Sequence, residues 1–366
     1  MKLQVNRTDL TQLIGKIQSI VPTKPSIPIL ANILLEAKED QLVIAATDLT
    51  VSMKVNTKAI VEEEGAITLP ARRLFQLIRE LTSPQVDIRT SSPEVAMINS
   101  GDSNFRIQGT HKSQFPAFPD LSEGFSTQFE PGVLKEMLTR TSFAAARDDS
   151  REVLNGVLMN RASTHATFTG TDGKLLARNR VAIAEEASSE GSFILPIKAV
   201  EEIVKILDGD GEAVSLILMD EKLGLEVDST LFITKLISGQ YPDVSRVIPQ
   251  EPTSRVVLHR DELITLLRQV SLFTSENEVS ARFVFSDGAL QISAMNGELG
   301  EGKVNMPVNY TGPNLEIAFH PQSFLDILRN SKDETVNFDL TDSYTPCLIT
   351  DSSEAEFVIM PMHIDD

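Results

Sequence analysis

Two short segments of this chain share one layout. Val43–Met53 (VIAATDLTVSM) and Thr167–Ala177 (TFTGTDGKLLA) each run from an apolar or alternating stretch through a Thr-Asp pair into a second stretch. The pairs, Thr47-Asp48 and Thr171-Asp172, lie 124 residues apart, and 124 more lead to Asn296 in QISAMNGELGEGKV, with Asn in place of Asp. Three further landmarks keep the same order and nearly the same step. Pro70, Pro196 and Pro321 are spaced by 126 and 125, Phe105, Phe232 and Phe357 by 127 and 125, and Leu10, Leu134 and Leu263 by 124 and 129. One Thr-Asp match would carry no weight, but four ordered landmarks define three copies of one module. The 366 residues divide into modules of ordinary domain size, each able to bury its own core. They are expected at 1–122, 123–250 and 251–366, with joints near PDLSEGFSTQF (119–129) and IPQEPTSRVV (248–257).

Each copy opens with a short strand and an amphipathic helix. Leu10, Leu13, Ile14, Ile17 and Ile20 in the first copy match Leu263, Leu266, Leu267, Val270 and Phe273 in the third, at the spacing of one helix face. The second copy has Leu134, Met137 and Leu138 before an alanine run. A second helix follows each landmark proline, which suits a helix's first turn because its missing N–H has no helical partner there. Leu74, Leu77, Ile78 and Leu81 recur as Val200, Ile203, Val204 and Leu207, and more loosely as Phe324, Ile327 and Leu328. Strand-like runs such as QLVIAATD, VSLILMD and FVFSDGALQISA lie between, bounded by turn signals at Asp172-Gly173, Asp287-Gly288 and 209–211. The expected fold class is α+β: three tandem copies, each with two helices on one face of a mostly antiparallel sheet.

The net charge of −19 argues against general adhesion to nucleic acid or anionic membrane. The charge is unevenly placed. Six expected helices, 7–20, 71–81, 132–145, 197–207, 260–273 and 322–332, hold thirteen Lys and Arg against eight Asp and Glu, an excess of five, which leaves −24 elsewhere. This predicts a basic surface built from all six helices, able to touch phosphates without reading sequence. A solvated helix face would give a similar count.

Other features exclude whole classes. The single cysteine, Cys347, sits in a strand-like run, reads as core and permits no internal disulfide. No stretch reaches the ~18–20 apolar residues of a membrane span. The start, MKLQVNRTDL, lacks the apolar region of a signal peptide, so a cytoplasmic protein is expected, with no membrane partner. Asp48 and Asp172 read as turn residues, and Asn296 at the third position argues against a shared acid/base role. His111, His165, His259, His320 and His363 show no metal-ligand spacing, and no phosphate loop or nucleophile motif is present. A non-enzymatic protein needing no cofactor is expected.

The motifs IPIL and ATDL in copy one, SREVLNGVL, GTDGKLLA and SGQYPDVSRVIP in copy two, and FVIMPM near the C-terminus are together specific. With them the whole chain resembles the bacterial DNA polymerase III beta subunit family. The resemblance implies three DNA-clamp domains per chain, paired head to tail into a homodimer that forms a six-domain ring around double-stranded DNA. Such a ring holds the replicative polymerase by topology, so local contacts can stay weak enough for sliding. DNA-facing candidates are Lys24, matching a basic loop residue of the family, and the helix residues Arg72, Arg73, Arg79, Lys198, Lys205 and Arg268.

The resemblance also implies a partner pocket between copies two and three. There the clamp loader, the replicative polymerase and other polymerases and repair proteins dock a short hydrophobic peptide. Matching positions in copy two are Arg151, Leu154, Thr171, Gly173, Leu176, Pro242, Arg246 and Val247. Those in copy three are His320, Ser323, Tyr344, Pro346, Val358 and Ile359, continuing into Met360, Pro361 and Met362. Met360 and Met362 are adaptable apolar side chains suited to several partners. His320 and Ser323 replace an amide and an aromatic residue common in the family, His363 replaces a frequent Arg, and Asp365-Asp366 extends the end, which implies an altered peptide preference. The dimer interface carries over as Phe105 and Ile107 against Leu272 and Phe273. The rival reading is a repeat-domain interaction scaffold, or a clamp-like regulator, with no DNA role. It would need neither the basic helices nor both apolar patches.

Overall fold

The computed structural model describes residues 1–183, 190–208, 213–275 and 280–363. The turn signal at 209–211 and the tail from Ile364 to Asp366 lie outside the described residues.

Copy one holds β1 (Lys2–Asn6), α1 (Arg7–Ile17), β2 (Asn32–Lys38), β3 (Gln41–Thr47), β4 (Val51–Lys58), β5 (Ile60–Glu63), β6 (Gly65–Pro70), α2 (Ala71–Glu80), β7 (Gln85–Ser92), β8 (Val95–Ser100) and β9 (Ser103–Gln108). Copy two holds β10 (Phe125–Phe129), α3 (Pro131–Ser142), β11 (Gly156–Arg161), β12 (His165–Thr171), β13 (Leu175–Ala182), β14 (Gly191–Pro196), α4 (Ile197–Ile206), β15 (Val214–Leu218), β16 (Lys222–Val227) and β17 (Thr230–Lys235). Copy three holds β18 (Ser254–His259), α5 (Arg260–Val270), β19 (Ala281–Ser286), β20 (Ala289–Asn296), β21 (Gly300–Pro307), β22 (Leu315–Phe319), α6 (Pro321–Asn330), β23 (Thr335–Leu340), β24 (Cys347–Thr350) and β25 (Glu356–Ile359).

The expected helix faces are the buried ones: Leu10, Leu13, Ile14 and Ile17 on α1, and Leu263, Leu267 and Val270 on α5. Asn6 caps α1 by accepting the N–H groups of Thr8 and Asp9 at 2.8 and 3.4 Å. Two of the landmark prolines, Pro70 and Pro196, close the strand before the helix, and only Pro321 is a first helical residue. The helix of copy two stops at Ser142, and the alanine run that follows it packs as a turn with Ala144, Ala145 and Ala146 buried.

The sheets do not follow the copy boundaries. Each copy contributes two half-sheets. The half-sheet β10-β15-β16-β17 of copy two continues through β4 into β3-β2-β6 of copy one, giving eight strands. The other half, β14-β11-β12-β13, continues through β25 into β24-β23-β18 of copy three, giving eight more. The remaining sheets are β5-β1-β7-β8-β9 and β21-β20-β19-β22. The chain accordingly forms two compact units, Met1–Pro131 with Glu201–Leu236, and Gly132–Val200 with Ile237–Asp366. The core of the second unit includes Phe283, Phe319, Phe324, Phe338 and Phe357, all fully buried between sheet and helices.

Candidate functional site

The repeated Thr-Asp pair is turn chemistry. In copy two the Asp172 carboxylate accepts the N–H groups of Lys174 and Leu175 at 2.8 and 2.7 Å. The Thr171 hydroxyl donates to the Leu175 carbonyl at 2.6 Å and accepts the Gly173 N–H at 3.0 Å. Thr47 and Asp48 repeat these bonds toward Leu49, Thr50 and Val51. Asn296 does the carboxylate's work for Glu298 and Leu299 with its amide oxygen. Each side chain closes a β-turn.

In the second unit this turn aims the next residues at an apolar strip. Leu176 pairs with Val358, and Val358 with Leu348, so three adjacent strands present one row on the same face. The neighbouring rows, Leu175-Ile359-Cys347 and Ala177-Phe357-Ile349, point the other way into the helix-side core. Ile248 packs on this outer row and, together with half-buried Val244, covers it, so that Leu176, Val358 and Leu348 are buried. Val244 also touches a second cluster of Ala146, Leu154, Leu158, Ile194 and Tyr241. Val244 thus links the row that ends at Leu348 to the cluster that holds Leu154. Its C-terminal border is pinned on both sides: the Met360 N–H donates to the Lys174 carbonyl at 2.9 Å, and the Met362 N–H to the Ala318 carbonyl at 2.8 Å.

The structure thus brings Leu154, Thr171, Gly173, Leu176, Val358 and the Met360–Met362 tail into one neighbourhood. Pro242, Arg246 and Val247 stand exposed on the covering loop, Tyr344 is 77% exposed and Pro346 half-buried. His320 caps α6, its Nδ1 accepting the Ser323 N–H at 3.3 Å. Ile359 belongs elsewhere, because strand alternation turns it into the helix-side core. Leu348, Ile248 and Val244 are absent from the sequence-derived set. In CLIT and FVIM every neighbour is apolar, so the period of two that separates the faces is invisible. Arg151 is held by Asp149 through bonds of 3.0 and 2.9 Å, which with the Arg151 N–H lowers the Asp149 carboxyl to about 2.

The first unit carries the same strands with a different row on this face among the described residues. The counterpart of Leu176-Val358-Leu348 is Ser52-Ile233-Gly224. Leu121 lies on Gly224 so closely that a Cβ there would overlap its Cδ1. Leu121, from the joint after copy one, covers this face of the first unit, as Ile248 covers the row of the second.

The edge strands of the four sheets include β9 and β21. Phe105 on β9 is half-buried and Ile107 buried. Beside β21, Phe273 lies on Gly302, where any Cβ would overlap the ring. Leu272 is 74% exposed, as are Met295 (73%) and Leu299 (55%) at the β20–β21 turn, which sequence reasoning missed.

Lys24, Arg72, Arg73, Arg79, Lys198, Lys205 and Arg268 are all exposed. Lys205 pairs with Glu202 at 2.8 Å. Arg140, counted among the basic helix residues, is instead buried at 4% exposure against Asp351. Cys347 is fully buried, which pushes its thiol pKa up. No three His, Cys, Asp or Glu side chains among the described residues stand where they could hold a metal ion, and no helix is long and apolar enough to cross a membrane.

Three tandem copies of two helices on antiparallel strands, with strands exchanged between copies, define the DNA-clamp class of proteins. Family models of the DNA polymerase III beta subunit match the N-terminal domain over residues 1–119, the central domain over 128–243 and the C-terminal domain over 245–363. The Beta sliding clamp of Chlamydia pneumoniae is 50% identical over 366 residues, covering 100% of both chains. That of Chlamydia muridarum is 47% identical over 367 residues, again covering 100% of both. The crystal structure of a DNA polymerase sliding clamp from Pseudomonas aeruginosa matches with a TM-score of 0.94 at 28% identity, covering 100% of both chains. The chain belongs to the DNA polymerase III beta subunit family, the bacterial sliding clamps, which are non-catalytic processivity factors.

Proposed function

We propose that two copies of this chain close head to tail around duplex DNA and tether the replicative polymerase to it in the cytoplasm. One observation carries this reading. Within the chain the last strand of copy two joins β4 of copy one, and the last strand of copy three joins β13 of copy two. The last strand of copy one, β9, and β21, which in copy three stands where β4 and β13 stand in theirs, are each paired on one side only among the described residues. An unpaired edge is a template for another chain, and a second copy supplies the complementary edge twice, which closes a point-group dimer. Phe105 and Ile107 would then meet Leu272 and Phe273.

The modules of this ring are 1–122, 123–250 and 251–366. Its duplex contacts are the exposed cations Lys24, Arg72, Arg73, Arg79, Lys198, Lys205 and Arg268. Partners, namely the clamp loader, the replicative polymerase and other clamp-binding polymerases and repair proteins, dock a short hydrophobic peptide on the Leu176-Val358-Leu348 strip. Leu154, Thr171, Gly173 and Met360–Met362 surround it, and Arg151, Pro242, Arg246, Val247, His320, Ser323, Tyr344 and Pro346 form its rim. The rival scaffold reading does not call for a matched pair of open edges.

The test is topological. Labelled protein is loaded onto nicked circular plasmid with a clamp loader and ATP, and the plasmid is then cut once. A sliding ring stays on the circle and runs off the cut DNA. Equal retention on cut and uncut DNA would mean binding by contact and would end the clamp reading.

A further inference from the structure

The basic surface expected from all six helices is not shared among them. Helix α2 carries three cations, Arg72, Arg73 and Arg79, against one carboxylate, Glu80. Helix α1 carries Arg7 and Lys16 against Asp9. On α4, α5 and α6 cations and carboxylates are equal in number. Helix α3 keeps a surplus of one, but its Arg140 is buried and bound to Asp351.

The ion pairs sharpen the contrast. Lys205 on α4 is 2.8 Å from Glu202, Arg260 on α5 is 2.9 Å from Asp261, and Arg329 on α6 is 2.9 Å from Asp326. Lys332, just past α6, is 2.6 Å from Glu136 of α3. Exposed pairs of this kind are individually weak, but each carboxylate cancels the local potential that a phosphate would feel. Lys16, Arg72, Arg73 and Arg79 are all exposed and have no carboxylate at ion-pair distance among the described residues. Arg79 lies 5.5 Å from the Phe75 ring centre, and Phe75 in turn touches α1 at Gly15. Arg7 donates to the Leu81 carbonyl at 3.1 Å and so ties the start of α1 to the end of α2. The four cations therefore sit on one fixed helix pair of the first unit. Arg268 of α5 is exposed without such a partner too, but it shares its helix with Asp261 and Glu262.

We infer that phosphate contact by this clamp is concentrated on the α1–α2 pair, through Lys16, Arg72, Arg73 and Arg79. This rests on the clamp reading. In a two-chain ring the duplex then meets two basic sectors rather than six equal ones, and it slides by leaving one for the other.

The experiment compares two charge-matched variants of the full-length ring, Arg72→Gln/Arg73→Gln and Arg329→Gln/Lys332→Gln. Each is loaded on stretched DNA and its diffusion coefficient is followed at two salt concentrations. All four positions are exposed, and unchanged thermal unfolding checks that the fold is intact. Losing two phosphate contacts per chain, four per ring, should speed sliding by about threefold at low salt and flatten its salt dependence, while the α6-region variant, which removes no phosphate contact but bares Asp326 and Glu136, should shift it clearly less. Equal shifts in both variants, no shift in either, or the larger shift in the α6-region variant would overturn the inference. Failure of the unmodified ring to load would instead overturn the clamp reading on which it rests.

Discussion

Replacing Arg140 by Met tests how the second unit holds its helices against the groove strands. The Arg140 guanidinium donates to the Asn330 carbonyl at the end of α6 at 2.8 Å and to the Ser353 hydroxyl at 2.7 Å. It also pairs with Asp351, whose side chain is wholly buried. Asn330 ends α6, while Asp351 and Ser353 lie in the loop that joins β24 to β25, which carry Leu348 and Val358. Two unit charges ~4 Å apart at an effective dielectric of 20 attract by about 4 kcal/mol. Removing one partner of a buried pair costs about 3–5 kcal/mol, because the other charge is left uncompensated. Asp351 would keep the N–H groups of Lys332 and Ser353, at 2.8 and 3.0 Å. The expected loss is therefore at the low end, about 3 kcal/mol.

A urea-unfolding cycle with Arg140→Met, Asp351→Asn and the double variant measures this, with amide exchange in β24 and β25 assigning the loss to the second unit. The double variant should cost less than the sum of the singles, by about 2 kcal/mol. Acid behaviour gives a second check. Burial pushes the Asp351 carboxyl up, but the Ser353 hydroxyl, the Lys332 and Ser353 amides and the Arg140 charge outweigh it, and the net shift is downward. A carboxyl lowered in the folded state stabilises fully above its unfolded pKa of about 3.9 and loses that contribution as pH falls through the folded value. Arg140→Met should shrink this acid-side loss. A cost below about 1 kcal/mol with additive singles would refute the reasoning.

Removing residues 360–366 should abolish binding of a hydrophobic partner peptide, measured by fluorescence anisotropy, while sedimentation still shows a dimer. Leu348→Asp should weaken the same peptide at least tenfold, since it puts a charge in the floor of the strip, again with the dimer intact. Phe273→Asp should give monomers by sedimentation, and a stable dimer would count against β21 as an interface edge. Asp149 should titrate near 2 by carboxyl NMR, because its folded pKa is depressed by Arg151 to about 2. The Arg151–Asp149 pair at the groove rim is then complete above the unfolded value of about 3.9 and is lost only as pH falls through that lower one.

Much of the fold is legible because its signals are local. The 3.6-residue period marks all six helices, and the landmark prolines mark the strand-to-helix junctions. Phe105, Phe232 and Phe357 are visible as repeat mates, but their meaning is not. Each lies on the last strand of its copy, and only the register of Phe232 with Met53 and of Phe357 with Ala177 reveals that these strands cross into the previous copy. Such pairing spans well over a hundred residues and leaves no trace in either segment alone. Faces fail for a different reason. In FVIM the inward Phe357 and Ile359 and the outward Val358 are equally apolar, so Ile359 reads as part of the groove when it is core. Charge fails for a third. Arg140 looks like any helical arginine, and the carboxylate that claims it is 211 residues away.

Strand exchange also sets how the molecule can be divided. Copy two has no sheet of its own: β17 is completed by β4, and β13 by β25. Excised at its repeat boundaries, it would bare two full-length edges at once and should self-associate rather than fold alone. Two cooperative blocks are therefore expected on unfolding, where the repeat of the sequence counts three. A protein engineer cutting or grafting this chain would do better to keep each eight-stranded sheet whole than to respect the repeat.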